Sequence, residues 1–155
     1  MSATTVETLT CTACAHSFEA AEQPTECPKC RVHGGYRNFP SHKTSTIARQ
    51  NDSFRAGMVV GGCPFPGTVV VTPGVRDRGR DFVTGAILAA AFDRDFSEDN
   101  DPWGDRSFGI VTVQGERLYW KIDYYDANRE FGSDDPSDHT KTHRVLTLLF
   151  PSEWR

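Results

Sequence analysis

Two Cys-x-x-Cys pairs near the amino terminus constrain the fold of this chain more than any other feature. The pairs are separated by residues 15–26, and their cysteines are Cys11, Cys14, Cys27 and Cys30. Two thiolates three residues apart can reach one ion from a tight turn, and a second such turn closes a tetrahedral shell with no open position. A closed shell is structural, so we predict one structural Zn²⁺ per chain. A disulfide pair and a redox-active dithiol are the alternatives.

The cysteine pairs divide the chain into three parts. Residues 1–35 are predicted to form a zinc ribbon that is too small to bury a core without its metal. Residues 36–43 are predicted to be a linker, because they belong to a longer segment, 31–43, that is rich in Gly, Pro, His and Arg. The total of 155 residues leaves room for one further domain, which we place at 44–155.

Periodicity in the larger part predicts an α+β domain. A helix is expected after the capping hydroxyls of residues 44–46, and a second helix over 81–94, where apolar residues recur every three to four positions. Alternating or β-branched runs predict strands, and Gln114-Gly115 suits a tight hairpin between two of them. The predicted strands are 68–72, 108–113, 116–125 and 144–150. This order predicts an antiparallel sheet with two helices packed on one face.

Net charge argues against a surface that binds phosphates throughout. The chain has 17 Lys and Arg against 21 Asp and Glu, a net charge of −4. Much of the acidity lies in two segments, 93–105 and 123–138. Any nucleic acid would therefore meet a local basic patch.

Trp103 stands out within the first acidic segment. An aromatic side chain in an acidic loop is either a core plug or an interface anchor. We favour a non-enzymatic protein that docks on a protein or nucleoprotein partner, although the sequence does not decide whether the chain is an enzyme. The predicted contacts to the partner are Trp103, Asp99, Asp101, Asp134 and Asp135.

Two other functions remain open. A metal-dependent hydrolase or nuclease would use Asp99, Asp101, Lys121 and Asp123, provided that the carboxylates converge on one cation. A DNA-binding accessory protein would use the ribbon and the basic run that contains Lys29, Arg31, Arg37 and Lys43. Tyr36 and Phe39 lie within that run and could stack on bases.

Four short segments in the larger part occur in one order. They are Thr-Pro-Gly-Val at 72–75, Glu-Asp-Asn-Asp-Pro-Trp-Gly at 98–104, Trp-Lys-Ile-Asp-Tyr-Tyr-Asp at 120–126 and Arg-Val-Leu-Thr at 144–147. Because of these four segments, the larger part of the chain resembles a small bacterial family of domains of unknown function. In this chain the predicted zinc ribbon is appended to that domain at the amino terminus.

This resemblance covers about residues 44–155 and implies no particular reaction. It implies carriage on plasmids and phages. The expectation that follows is an accessory or anti-defence factor of a mobile genetic element, such as an inhibitor of a host nucleoprotein defence complex.

The first residues, 1–7, have neither a basic start nor an apolar core of signal-peptide length. No segment approaches the run of about 18 apolar residues that spans a bilayer. We therefore expect a cytoplasmic protein without a membrane partner. The sequence leaves the oligomeric state open.

Overall fold

A four-stranded sheet in the order β3-β6-β5-β4 forms the centre of the larger part. The computed structural model describes residues 5–154, so the leader prediction for residues 1–7 and the start of the predicted ribbon lie partly outside the described residues. The strands of the sheet are β3 (Gly67–Val71), β4 (Phe108–Val113), β5 (Glu116–Tyr125) and β6 (His143–Leu149). The two remaining strands, β1 (Glu7–Thr10) and β2 (Ser17–Ala20), pair antiparallel as the predicted hairpin of the ribbon.

The α+β class is confirmed, and one strand pair departs from an antiparallel sheet. β4 with β5 and β5 with β6 are antiparallel, whereas β3 runs parallel to β6. The reason lies in the connection after β3, where the chain crosses to the far edge of the sheet through helices before it enters β4. β6 then returns beside β3 in the same direction. The sheet is therefore mixed.

Three helices accompany the sheet: α1 (His42–Val60), α2 (Pro73–Arg76) and α3 (Arg80–Ala91). α1 begins earlier than the predicted cap at 44–46, because Ser41 is the N-cap and its Oγ accepts a hydrogen bond from the Thr44 N–H at 3.1 Å. The chain ends in a 3₁₀ turn, Pro151–Glu153. None of the described helices combines the length and apolar character that crossing a membrane requires.

The core lies on one face of the sheet, beneath α1 and α3. On β5, Leu118, Trp120 and Ile122 point into this core, as the alternation of a strand predicts. The residues between them in the sequence, such as Tyr119 and Lys121, are half-buried on the opposite face. The helices contribute Phe54, Phe82, Ala86 and Ala90, and β6 contributes Leu146 and Leu148.

Segment 36–43 is packed, in contrast to the linker that its composition suggests. Phe39 is 1% exposed and joins Leu9, Cys11 and Cys27 in a small separate core. The Thr10 N–H donates to the Pro40 carbonyl at 3.1 Å. The segment closes the ribbon and continues directly into α1, because the ribbon needs the ring of Phe39 to cover its cysteines.

Two buried arginines tie α1 to the rest of the domain. Arg144 on β6 donates from Nε to Asn51 Oδ1 at 2.8 Å and from Nη2 to Gln50 Oε1 at 2.7 Å. Arg55 on α1 donates to the carbonyls of Ala90 and Asp93 at 2.7 and 2.9 Å. No local pattern predicts the burial of either arginine, because the groups of Ala90, Asp93, Gln50 and Asn51 that accept from them are distant in the chain.

Candidate functional site

The four predicted cysteine ligands converge. The Sγ atoms of Cys11, Cys14, Cys27 and Cys30 all lie within 4.8 Å of one another. The Cys11–Cys30 and Cys14–Cys27 Sγ separations are 3.8 and 3.7 Å. A metal–sulfur distance of about 2.3 Å places neighbouring sulfurs of a tetrahedron about 3.8 Å apart, whereas a disulfide needs about 2.05 Å. All four thiols are free, so the donor set fits a tetrahedral metal ion.

The two Cys-x-x-Cys turns have the same local geometry. The Ala15 N–H donates to the Cys11 carbonyl at 2.8 Å, and the Arg31 N–H donates to the Cys27 carbonyl at 3.0 Å. Ala15 and Arg31 both adopt positive φ, 63° and 67°, which turns the chain back after each pair. The four sulfurs therefore approach one point from two equivalent turns.

Backbone donors favour the thiolate of Cys27. Its burial opposes ionisation, but the N–H groups of Cys30 and Lys29 point at Sγ, at 3.5 and 3.3 Å. These donors and the neighbouring thiols lower the pKa of Cys27 to about 6. A thiolate is the form that binds a metal ion, so the turn prepares the ligand.

Trp103 is an exposed side chain at the junction of ribbon and domain. It is 61% exposed, which excludes a core plug. Its ring lies 4.9 Å from that of Tyr36, measured between centroids, with the two planes inclined at 51°. Tyr36 belongs to the segment that closes the ribbon and is itself 50% exposed. The two parts of the chain thus form one aromatic surface.

Trp103 lines two pockets. One, which we call the notch, has a volume of about 160 Å³ and is lined by Tyr36, Glu7 and Glu22 among other residues. The other, the acidic pocket, has a volume of about 440 Å³. The charged residues of the acidic pocket are Asp99, Asp101, Asp105, Lys121 and Asp123.

Asp101 is a structural residue of the segment 96–104, which we call the Trp103 loop. It is 4% exposed, and its Oδ1 accepts a hydrogen bond from the Arg106 N–H at 3.0 Å. Burial raises the pKa of its carboxyl group, although that N–H and the nearby arginines oppose the rise. Asp101 therefore offers little surface to a partner, and it positions the loop that carries Trp103. Asp99 is exposed.

Arg37 joins the ribbon to this loop. Its Nη2 donates to the Phe96 carbonyl at 2.7 Å, and its Nε lies 3.7 Å from Asp101 Oδ2. Arg37 follows Tyr36 in the sequence, and Asp101 precedes Trp103 by two residues. The ion pair therefore fixes the backbones that carry both exposed rings.

Asp134 and Asp135 are not among the residues that line either pocket beside Trp103. Asp135 Oδ1 accepts hydrogen bonds from the Ser137 N–H and hydroxyl groups and lies 3.4 Å from Lys43 Nζ. The Ser137 hydroxyl is the main cause of the lowered pKa of Asp135. Asp135 thus stabilises its own loop, and Asp134 is exposed nearby.

The alternative catalytic residues Asp99, Asp101, Lys121 and Asp123 line the acidic pocket together. Lys121 Nζ pairs with Asp123 Oδ2 at 3.1 Å, and Asp101 Oδ1 accepts a hydrogen bond from the Arg106 N–H. Within residues 5–154, the cysteine cluster is the only group of three or more His, Cys, Asp or Glu side chains whose ligand atoms meet within 4.8 Å. The carboxylates share a pocket without converging on a common point.

The predicted nucleic-acid residues form no continuous free strip. Arg31 pairs with Glu26 at 3.0 Å, Lys43 pairs with Asp135, and Arg37 is directed into the junction. Lys29 is exposed on the second cysteine turn. Most of the basic run thus has intramolecular partners.

Sequence reasoning missed the contributions of Glu7, Glu22 and Tyr36 to the surface around Trp103. The sequence suggests only a base-stacking role for Tyr36, and no sequence pattern distinguishes the two glutamates from other surface residues. They lie more than 60 residues from Trp103, so only the docking of the ribbon brings them together.

Comparison with known proteins identifies a family for the larger part of the chain. The model of a family described as a protein of unknown function (DUF3768) matches residues 71–153, which is more than half of the chain. The match begins at the end of β3 and includes the Trp103 loop, whereas the ribbon and α1 precede it. No curated protein and no solved structure matches the chain.

Proposed function

We propose that this chain, which belongs to the DUF3768 family, is a non-enzymatic binding protein that docks a basic protein or nucleoprotein partner. The observation that carries the proposal is the exposed pair of Trp103 and Tyr36 at the junction of ribbon and domain. Contiguous exposed aromatic surface is typical of interaction sites, and Trp and Tyr are frequent anchors of interfaces. Acidic residues line the pockets on both sides, so the complementary partner is basic.

The ion in the ribbon is zinc in this proposal. Four thiolates at tetrahedral spacing are the donor set of structural zinc sites, and they leave no position open for a substrate. The ion would hold the ribbon in the conformation that presents Tyr36. Its function is to stabilise the docking surface.

The acidic pocket supports docking better than catalysis. Catalysis by a metal ion needs several carboxylates directed at one point. Asp101 is instead engaged by the backbone of Arg106, and Asp123 by Lys121. Asp99 and Asp105 remain as acidic groups at the margin of the aromatic surface.

The resemblance to plasmid- and phage-borne genes suggests which partner to examine first. A host nucleoprotein defence complex has basic protein surfaces that an acidic docking protein could cover. We propose an accessory or anti-defence role on this ground, and the physical argument for a basic partner does not depend on it.

Metal analysis and binding to defined probes test the proposal. We expect one zinc per chain by elemental analysis, and binding of fluorescent poly-lysine that weakens as salt is raised. Trp103→Ala should reduce this binding, while Phe131→Ala, which removes a 72% exposed aromatic outside the two pockets, should not.

Two results would contradict the proposal. One is binding of single- or double-stranded DNA without binding of poly-lysine. The other is a saturable Mg²⁺ or Mn²⁺ site in calorimetry that Asp123→Ala abolishes, since that would return the acidic pocket to the metal-dependent enzyme hypothesis.

A further inference from the structure

The notch between the ribbon and the Trp103 loop is the most selective feature of the proposed docking surface. Its volume of about 160 Å³ is below the range of about 300–1,000 Å³ that is typical of small-molecule sites. A single side chain of a partner is a suitable occupant for a space of this size. The buried residues Leu9 and Phe39 also line it, so its interior is partly apolar.

Two aromatic rings border the notch. Tyr36 and Trp103 meet at 51°, so their faces form a wedge rather than a stack. The face of an aromatic ring carries a partial negative charge and attracts a cation within about 6 Å of its centre. A positively charged group seated in the wedge can contact both rings.

Two carboxylates complete the lining, and no basic residue does. Glu7 and Glu22 are exposed, come from β1 and from the turn after β2, and form no ion pair with any residue of 5–154. A cation in the notch would gain their attraction in addition to that of the rings. An anionic group would meet only repulsion.

We propose that the notch binds the side chain of a lysine from the partner. The four-carbon stem would lie against Leu9 and Phe39, and the ammonium group would lie between the two rings and the two glutamates. This inference rests on the proposed function, because it names the group that the docking surface recognises.

The notch is held in shape before any partner binds. The Arg37–Asp101 ion pair fixes the backbones on which both rings are carried. The Gly35 N–H donates to Asn38 Oδ1 at 3.2 Å and closes the turn that contains Tyr36. A preformed site loses less conformational entropy when the partner side chain enters.

Three short peptides that differ only at their central residue test this inference on the wild-type protein. The sequence is acetyl-Gly-Ser-X-Ser-Gly-amide, with lysine, norleucine or glutamate as X. Binding is followed by the NMR signal of the Trp103 indole N–H. We expect the lysine peptide to bind at least about fivefold more tightly than the norleucine peptide, which keeps the stem without the charge. The glutamate peptide should not bind.

Variants locate the binding. Tyr36→Ala and the double variant Glu7→Gln/Glu22→Gln should each weaken binding of the lysine peptide. Glu19→Gln removes an exposed glutamate of β2 outside the notch lining and should leave binding unchanged. Metal content and thermal unfolding of each variant confirm that the ribbon is folded.

The outcomes separate this inference from the proposed function. Equal binding of the lysine and norleucine peptides would overturn it, even if poly-lysine binds and Trp103→Ala weakens that binding. If poly-lysine fails to bind and the lysine peptide leaves the Trp103 signal unshifted, both the proposed function and this inference are wrong.

Discussion

Arg144 is the least exposed charged residue among residues 5–154. It is fully buried, and its partners are the amide oxygens of Asn51 and Gln50 and the Pro136 carbonyl rather than a carboxylate. Its Nη1 finds no acceptor within residues 5–154. Burial accordingly lowers the pKa of Arg144. An unpaired cation in the core is costly, so its hydrogen bonds to α1 must be maintained for the domain to be stable.

Arg144→Ala is expected to destabilise the domain by about 3 kcal/mol. The substitution leaves a cavity and removes the hydrogen-bond donors to the buried amide oxygens of Asn51 and Gln50. Arg144→Lys should restore only part of this loss, since one ammonium does not reproduce the planar guanidinium. Urea unfolding followed by the fluorescence of buried Trp120 measures the change. Exposed Arg117→Ala is the control, and equal midpoints for Arg144→Ala and Arg117→Ala would contradict the assignment.

Glu153 fastens the chain end to the sheet. Its carboxylate accepts hydrogen bonds from Thr72 Oγ1 at 2.7 Å, from the Phe150 N–H at 3.0 Å and from the Gly74 N–H at 3.2 Å. Burial opposes ionisation, but these three donors outweigh it and lower the pKa of Glu153 below its ordinary value.

The lowered pKa predicts a pH dependence. The stabilisation from Glu153 is fully present above the unfolded pKa of about 4.3 and is lost as the pH falls through the lower folded value. At pH 7, Glu153→Gln should cost about 1 kcal/mol, and the difference from wild type should shrink as the pH falls below the unfolded value. Thermal unfolding at several pH values measures it, with exposed Glu130→Gln as the control. A constant difference down to pH 3 would contradict the role of the charge.

At the scale of the elements, the ribbon and the sheet have separate sources of stability. The core of the ribbon contains four buried residues, two of which are the clustered cysteines Cys11 and Cys27. The hydrophobic core cluster of the sheet domain contains eleven buried residues from its helices and strands. So small a core as that of the ribbon cannot offset the conformational entropy of its chain without the ion.

Metal removal should therefore unfold the ribbon and leave the sheet folded. With a strong chelator, amide hydrogens of β1 and β2 are expected to exchange rapidly, while those of β5 stay protected. Cys27→Ser should reproduce this result, and Cys63→Ser, outside the four-cysteine cluster, should not. Retained protection of β1 and β2 after the metal has been removed would show that the ribbon folds without it.

At the scale of the whole molecule, the docking of the ribbon creates the proposed binding surface. The segment that closes the ribbon runs into α1, and Arg37 reaches across to the Trp103 loop. Tyr36 and Trp103 become neighbours through this docking.

Arg37→Gln should loosen the junction at a cost of about 1 kcal/mol, because it removes a charged hydrogen bond and an ion pair that are partly screened. Faster hydrogen exchange in residues 96–104, with β5 unchanged, is the expected readout. Arg49→Gln changes an exposed arginine of α1 that lines a pocket together with Arg37, and it serves as the control. Equal exchange in both variants would show that Arg37 does not hold the junction.

Local patterns predicted the strands and the two longer helices, whereas the short helix α2 was not predicted. Strands β4 and β5 begin and end where alternation and the Gln114-Gly115 turn predict, and both turn residues adopt positive φ, 50° and 80°. The cysteine spacing predicted that the four sulfurs converge, because each pair needs only one local turn. The capping residue of α1 was misplaced, since several hydroxyl residues precede that helix and local preference does not choose between them.

The sequence by itself determined the cysteine site, the α+β class and the inward face of β5, because each depends on residues a few positions apart. Only the tertiary structure decided the parallel pairing of β3 with β6, the burial of Arg55, Asp101 and Arg144, and the closing of the ribbon by residues 36–43. It also brought Glu7, Glu22 and Tyr36 to Trp103. These contacts join residues far apart in the chain, and charge or hydropathy at one position contains no information about which distant group lies opposite.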